Sequence, residues 1–299
     1  MDWIILHNTC SVVKRHILFV ESCENLSLIH ASMLNCIEFI VLLATKRVST
    51  LYQRKYKVRM LYARDEMRDF RDKFKTMTKL SYLGHIFTLA IKPATYNLLD
   101  EWLIYDINVV QKLSIEPTKF FIPPHVVVFD MDSTLITEEE QVQIRDPTIY
   151  KALEELKSMN CVLILWSHGN REHVVDSLAK LELDSFFDIV LSEGRHVGQY
   201  STRAEVDEKY HVIYKSTPFY LDMDNVRNIP KSPRVVLWYI QKHKIGPFKT
   251  ITLVDDLYDN NISYDNFVNL KTCPVPVDDW NIWHKQIVRF IQDYDARLK

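Results

Sequence analysis

The strongest constraint on the fold lies in the second half of the chain, in a series of short strand-like stretches, of which "VVVF" and "CVLILW" are continuous apolar runs. "HVVVF" (His125 to Phe129), "CVLILW" (Cys161 to Trp166), "FDIVL" (Phe187 to Leu191) and "TITLV" (Thr250 to Val254) are each the length of a strand. A strand with one wet face shows a two-residue alternation, whereas continuous apolar runs belong to strands covered on both sides. Helical patterns separate the runs. Asp146-Pro147 reads as an N-cap with proline in the first turn, opening a helix with Tyr150, Leu153 and Leu156 inside. Arg171 to Leu183 reads as a second helix. Ser232-Pro233 opens a third, Val235 to Lys244, stopped by Gly246-Pro247. Asn266 to Lys271 reads as a last strand, and Asp279 as the cap of a C-terminal helix with Trp283, Ile287, Phe290 and Tyr294 inward. Strands alternating with helices predict an α/β fold built on a parallel sheet.

In such sheets, sites form beyond the carboxyl ends of the strands. Asp130 and Asp132 follow the first run. Side chains alternate along a strand, so these two start on one side, roughly 7 Å apart. Ser167, His168 and Gly169 follow the second run, and Asp255 and Asp256 follow "TITLV". Lys231, just before the third helix, is placed to reach the same edge. Four carboxylates beside an apolar sheet are unfavourable unless cations join them. An oxygen-rich set of this density suits Mg²⁺, with room left for an anionic substrate. Taken singly, each feature has an ordinary reading: the D-x-D pair as a polar turn, Ser167 as a helix cap, Lys231 as a solvated lysine. His168 and His173 are read as lining the rim. A second pair, Asp222 and Asp224 in "LDMDN", is read as a loop whose acids contact substrate.

"FDMDST", "LWS", the lysine of "PKS" and "VDD", in that order at strand ends, resemble the four motifs of the haloacid dehalogenase superfamily over residues 120 to 295. The resemblance implies a Rossmann-like phosphatase domain over residues 119 to 299. It implies Asp130 as nucleophile, forming an aspartyl-phosphate, and Asp132 as the acid and base. Mg²⁺ would be held by the Asp130 carboxylate, the Asp132 main-chain carbonyl and an acid of the Asp255-Asp256 pair. Ser167 and Lys231 would hold the transferring phosphoryl group, and Thr134 would brace the loop. The D-x-D-x-T-L form is similar to phosphoprotein phosphatases that act on polymerase tails, as is "CPVPVDDW" before the last helix. Their insert is missing here: only Leu135 to Arg145 separates the first motif from the next helix, too short for a cap domain. The segment from Gly194 to Tyr220 is expected to form a small lid or hairpin. A lightly covered site favours a phosphoprotein, at serine or threonine, over a metabolite.

Residues 1 to 118 read as an all-helical region. Leu26 to Ala44 reads as a buried helix. Tyr52, Tyr56, Met60, Ala63, Met67, Phe70, Phe74 and Met77 follow helical spacing and predict one long amphipathic helix. Its apolar stripe is read as packing on the chain's own core, with a seam to a second copy as the alternative. From Lys46 to Lys79 there are twelve Lys/Arg against four Asp/Glu, a local net of +8 in a chain whose formal charge is −2. That basic face is read as solvated, with nucleic acid or an acidic partner as the alternative. "EPTKFFIPPH" reads as the linker between the two parts.

Composition excludes several classes. Five scattered cysteines with no C-x-x-C give no zinc or dithiol motif and fit a reducing compartment. Five glycines form neither G-x-G-x-x-G nor a Walker loop. Met1 to Val20 lacks the apolar core of a signal peptide, and no membrane span is expected. "IPKSPRVVLWYI" with "LVDDLYDNN", behind a basic N-terminal half, also resembles a family of baculoviral proteins. That resemblance implies action in nucleocapsid assembly, in the host nucleus, on a protamine-like DNA-packaging phosphoprotein among other nucleocapsid proteins. A structural or nucleic-acid-binding assembly protein without essential turnover is the alternative.

Overall fold

The computed structural model describes residues 1–44, 54–113, 122–138, 142–195, 205–206, 212–214 and 229–297. The chain divides into two compact units, one of Met1–Pro123 with Ile240–Lys249, the other of Pro124–Tyr239 with Thr250–Arg297.

The first unit is not all-helical. It carries a six-stranded mixed sheet in the order β4-β1-β3-β2-β5-β6. The strands are β1 (Asp2–His7), β2 (Ile17–Phe19), β3 (Phe39–Leu43), β4 (Lys57–Tyr62), β5 (Ile86–Thr88) and β6 (Ile104–Asp106). β1 runs antiparallel to β3 and β4; the remaining neighbours are parallel. Trp3, Ile4, Ile5 and Leu6 are all buried, so β1 lacks the alternation that marks a half-exposed strand. A continuous apolar run of this kind fits a strand or a buried helix equally well. The Leu26 to Ala44 stretch is likewise broken, into the end of a 3-10 turn (Cys23–Leu28), a single helical turn (Ala31–Leu34) and β3.

The long helix expected from Tyr52 to Met77 is also absent. Tyr52 lies outside the described residues, and Lys57–Tyr62 pairs with β1 as an edge strand. Met60 is 57% exposed, so it is not part of an inward stripe. Among the described residues of this stretch, Arg54 and Lys55 are helical before the strand, and α1 (Met67–Thr78) is a separate helix after it. The chain turns between them because carboxylates capture the backbone there: Asp69 Oδ2 accepts the Arg64 N–H at 2.7 Å, and Asp65 accepts the N–H groups of Asn97 and Leu98, both at 3.0 Å. Phe70 and Phe74 of α1 are fully buried against Trp3 and Phe39, with ring centroids 5.6 and 5.0 Å apart. The basic segment is therefore not one solvated face. Arg71 is buried, with its guanidinium 4.1 Å from the ring centre of Trp102, and Lys75 is buried with Nζ donating to the Lys249 carbonyl at 3.0 Å. Residues 46–53 of that segment lie outside the described residues.

The second unit is the expected α/β layer. Its seven-stranded sheet has the order β10-β11-β9-β8-β7-β12-β13. The strands are β7 (His125–Phe129), β8 (Cys161–Ser167), β9 (Ile189–Ser192), β10 (Glu205–Val206), β11 (Val212–Tyr214), β12 (Ile251–Asp255) and β13 (Asn266–Asn269). Every neighbouring pair is parallel except β10 with β11. That antiparallel pair extends the sheet beyond β9, so part of the Gly194 to Tyr220 segment forms a hairpin; its other residues from 196 onward, and Asp222 and Asp224, lie outside the described residues. The helices are α2 (Thr148–Ser158), α3 (Arg171–Lys180), α4 (Pro233–Lys242, of which the residues to Tyr239 belong to this unit) and α5 (Trp280–Arg297). Val127, Phe129, Leu163 and Leu165 of the sheet join Leu153, Leu156, Trp280 and Ile287 of the helices in one buried core.

Asp146 caps α2 as expected, but it also takes the cap expected of Asp279. Asp146 accepts the Thr148 N–H through Oδ1 and the Trp280 N–H through Oδ2, both at 2.8 Å, so one carboxylate opens both α2 and α5. Asp279 instead forms a two-pronged pair with Arg145, at 2.8 Å on each prong, and accepts the Trp283 indole N–H at 3.0 Å. Among the described residues no helix is long and apolar enough to cross a membrane.

Candidate functional site at the carboxyl edge of the parallel sheet

β8, β7 and β12 are adjacent, so the residues that end them converge. Phe129 pairs with Leu165 on one side and with Val254 on the other, which sets Asp130, Ser167 and Asp255 along one edge. The Asp130 N–H continues the ladder by donating to the Val254 carbonyl at 2.9 Å. Asp130 and Asp255 are buried, as is Lys231, which enters from the loop before α4. The Lys231 ammonium bridges the two acids, donating to Asp130 Oδ1 and, at 2.9 Å, to Asp255 Oδ2. Thr134 Oγ1 donates to Asp130 Oδ2 at 2.9 Å, the bracing contact expected of it.

Asp255 is held from the other side by Asn260, whose amide nitrogen lies 3.1 and 3.0 Å from its two oxygens, and by the Leu257 N–H at 2.8 Å. The Asn260 side-chain oxygen in turn accepts the Lys231 N–H at 3.1 Å. Asn260 thus fixes both members of the Lys231–Asp255 pair. The sequence reading assigned it no role, although it lies within the "LVDDLYDNN" stretch.

Three carboxylates face that single ammonium. Asp130, Asp255 and Asp256 each offer an oxygen, all within 4.8 Å of one another. Burial pushes the Asp130 carboxyl up to about 7, with the charge of Asp255 adding to the push and Lys231 pulling against it. Asp256 is pushed up to about 6, by burial and then by Asp255. Burial opposes the charge on Lys231 too, yet the two aspartates outweigh it and raise the lysine above its ordinary value. Carboxyls raised in this way mark a place short of positive charge. An all-oxygen set of three carboxylates fits a hard divalent cation such as Mg²⁺.

Asp132 lies apart from this cluster. Its Oδ2 accepts the Ser167 hydroxyl at 2.9 Å, and its Oδ1 lies 2.6 Å from His173 Nε2. Burial works against its charge, but the bonds from His173 and Ser167 hold the carboxyl below the usual carboxylate range. The bond to Asp132 raises His173 in return. His173 sits in the first turn of α3, its N–H capped by Asn170 Oδ1 at 2.8 Å. Gly169 makes room for this arrangement: a Cβ there would lie 2.9 Å from His173 Cδ2 and 3.0 Å from Ser167 Oγ. His168 does not join Asp132. It lines a cleft of about 520 Å³ together with Arg195, Ile229, Asp256, Tyr258 and Asn260.

The fold and the pocket define an α/β protein whose parallel sheet carries an acidic, lysine-bridged site at its carboxyl edge. The chain belongs to the family described as Protein of unknown function (DUF705), whose model matches residues 1–299. It is 57% identical over 297 residues to a 41.0 kDa protein in the P143-LEF5 intergenic region of Cryptophlebia leucotreta granulosis virus, covering 99% of this chain and 86% of that one. A 38.0 kDa protein in the same region of Autographa californica nuclear polyhedrosis virus is 39% identical over 308 positions, covering 98% and 96%. A 36.0 kDa protein of Orgyia pseudotsugata multicapsid polyhedrosis virus is 42% identical over 247 residues, covering 81% and 78%. These are the baculoviral relatives to which "IPKSPRVVLWYI" and "LVDDLYDNN" pointed. A solved chain from Thermotoga maritima, described as a beta-phosphoglucomutase, covers 44% of this chain and 76% of its own at 16% identity. Its TM-score of 0.26 is too low to bear on fold or activity.

Proposed function

We propose that this protein is a Mg²⁺-dependent phosphoprotein phosphatase of the haloacid dehalogenase type, acting at phosphoserine or phosphothreonine through an aspartyl-phosphate. The observation that carries this reading is the convergence of Asp130, Ser167, Lys231 and the Asp255-Asp256 pair at three adjacent strand ends. Asp130 attacks phosphorus, and the bond from phosphorus to the ester oxygen breaks as Asp132 gives that oxygen a proton. Water then attacks the acyl phosphate, Asp132 takes its proton, and inorganic phosphate leaves with the Asp130 carboxylate restored. Substrate binding prepares Asp132 for the first step by letting it take up a proton from solvent. Once Ser167 turns its hydroxyl to the phosphoryl oxygens, Asp132 loses one of the bonds that hold its charge. The phosphoryl dianion beside it also favours the protonated acid.

Lys231 supplies positive charge to the equatorial phosphoryl oxygens, where charge stabilisation is most of the catalysis. Asp130 and an acid of the Asp255-Asp256 pair would hold Mg²⁺, which when bound neutralises the nucleophile and the phosphoryl group. The short connection from Asp132 to α2 favours a macromolecular substrate. The substrate proposed, from the resemblance of the motifs alone, is a DNA-packaging phosphoprotein of the nucleocapsid, met in the host nucleus. The rival reading as a basic assembly scaffold loses much of its motive, because the long basic helix behind it is not formed. A purified protein that hydrolyses p-nitrophenyl phosphate with Mg²⁺, and stops in EDTA or as Asp130→Asn, meets the expectation. Equal turnover under all three conditions refutes it.

A further inference from the structure

We propose that His173 is a positioning residue for Asp132, holding one carboxylate oxygen in place so that the other is free to meet the leaving group. The inference rests on the phosphatase reading and assigns a role in it to a helix residue outside the four strand-end motifs. The two oxygens of Asp132 have different holders. Oδ2 takes the hydroxyl of Ser167 at 2.9 Å, and the same Ser167 oxygen accepts the Gly169 N–H at 2.9 Å. Ser167 therefore has one proton to give, and giving it to a phosphoryl oxygen releases Oδ2. Oδ1 lies 2.6 Å from His173 Nε2. An ionised carboxylate only accepts, so Nε2 carries the hydrogen in that contact.

Three local features fix the imidazole where it stands. The Asn170 side chain caps the His173 N–H at 2.8 Å, the residue lies in the first turn of α3, and the bare Gly169 backbone leaves space for the ring. Phosphate binding at Ser167 thus exchanges one partner of Asp132 and leaves the other. A carboxylate released from both would rotate about its side-chain torsions. One pinned at Oδ1 presents Oδ2 along a fixed direction, which is the kind of orientation on which proton transfer depends. An exposed ion pair of no consequence predicts none of this, and Asp132 and His173, at 35% and 37% side-chain exposure, stand at the mouth of the site rather than out in solvent.

The test compares kcat/KM for wild type, His173→Ala and His173→Gln on p-nitrophenyl phosphate and on phenyl phosphate, both with Mg²⁺. Nitrophenolate leaves with little help from an acid, whereas phenolate needs a well-aimed proton. His173→Ala is expected to lose about tenfold on the first and about a hundredfold on the second, the low end of the range for acid catalysis. His173→Gln keeps a donor on a side chain of similar reach and is expected to recover most of the phenyl phosphate rate. Equal losses on both substrates, no loss on either, or a glutamine variant no better than alanine each overturn the role of His173 while leaving the phosphatase reading intact. A wild type inert on both substrates overturns the phosphatase reading itself, and the positioning role with it.

Discussion

Arg145 is the residue on which the first acidic loop hangs, and Arg145→Met tests that directly. Its guanidinium is buried and makes four contacts: two to Asp279 at 2.8 Å, one to the Ser133 carbonyl at 3.0 Å and one to the Lys271 carbonyl at 2.9 Å. Ser133 directly follows Asp132, is fully buried and has φ of 59°, a left-handed conformation that a residue with a Cβ adopts only under constraint. Methionine keeps most of the apolar stem and removes every donor. The Ser133 carbonyl, cut off from water, then costs about 1–3 kcal/mol. A fully buried pair broken on one side costs about 3–5 kcal/mol, but Asp279 retains 28% side-chain exposure and rehydrates in part, so about 1–2 kcal/mol is expected from it. The total is about 2–5 kcal/mol. Urea unfolding followed by hydrogen exchange on peptides from β7, β8 and α5 reads this second unit separately from the first. A slackened Ser133 also lets Asp132 drift, so kcat/KM on p-nitrophenyl phosphate should fall by about 10- to 100-fold. The pH dependence has a definite sign. Arg145 holds the Asp279 carboxyl below its usual range, so the pair stabilises the fold above the unfolded value of about 3.9 and fades only as pH falls through the lower folded value. The gap between wild type and variant should therefore be constant from pH 7 to 5 and narrow below about pH 4. A loss under about 1 kcal/mol, or a gap that closes between pH 7 and 5, would show that Arg145 is not the brace.

Asn260→Leu should cost about 1–3 kcal/mol by removing the donors to Asp255 and the acceptor for the Lys231 N–H, and should weaken Mg²⁺ binding in a calorimetric titration; unchanged affinity argues against its role. Gly169→Ala brings a Cβ within 2.9 Å of His173 and 3.0 Å of Ser167, so activity should drop with little change in the urea midpoint, and a fully active variant contradicts the close packing. In EDTA, stability should fall as pH rises from about 4 through about 7, because Asp256 and Asp130 bind their protons more tightly folded than unfolded; saturating Mg²⁺ should flatten that slope, and a slope unaffected by the ion speaks against a metal at these acids.

The site was legible where chemistry sits next to a strand end. Asp130, Ser167 and Asp255 lie at or directly after β7, β8 and β12, so identifying the apolar runs was enough to place them together. His173 was visible only as a rim residue, because its partner is 41 positions away and the contact is made only in the folded chain. Arg145 and Asp279 are 134 positions apart, and their pairing displaced the cap that local rules assigned to Asp279. The N-terminal half was misread for a different reason. Trp3 to Leu6 are buried on both faces of β1, and without alternation a run of apolar residues does not distinguish a strand from a helix. The spacing from Tyr56 through Phe74 imitates a helix across a real break, and pairing of β4 with β1 overrode it.

Local sequence thus determined the β/α alternation of residues 125 to 297 and the acids that end its strands, since period and residue type act over a few neighbouring positions. Which strands stand side by side, that Lys231 bridges Asp130 and Asp255, and that Asp132 is held by Ser167 and His173 are set by packing between distant segments. Those contacts join residues 24 to 101 positions apart, and that of Lys231 with its two acids draws its strength from burial, a property of the packed whole that no short stretch of chain possesses.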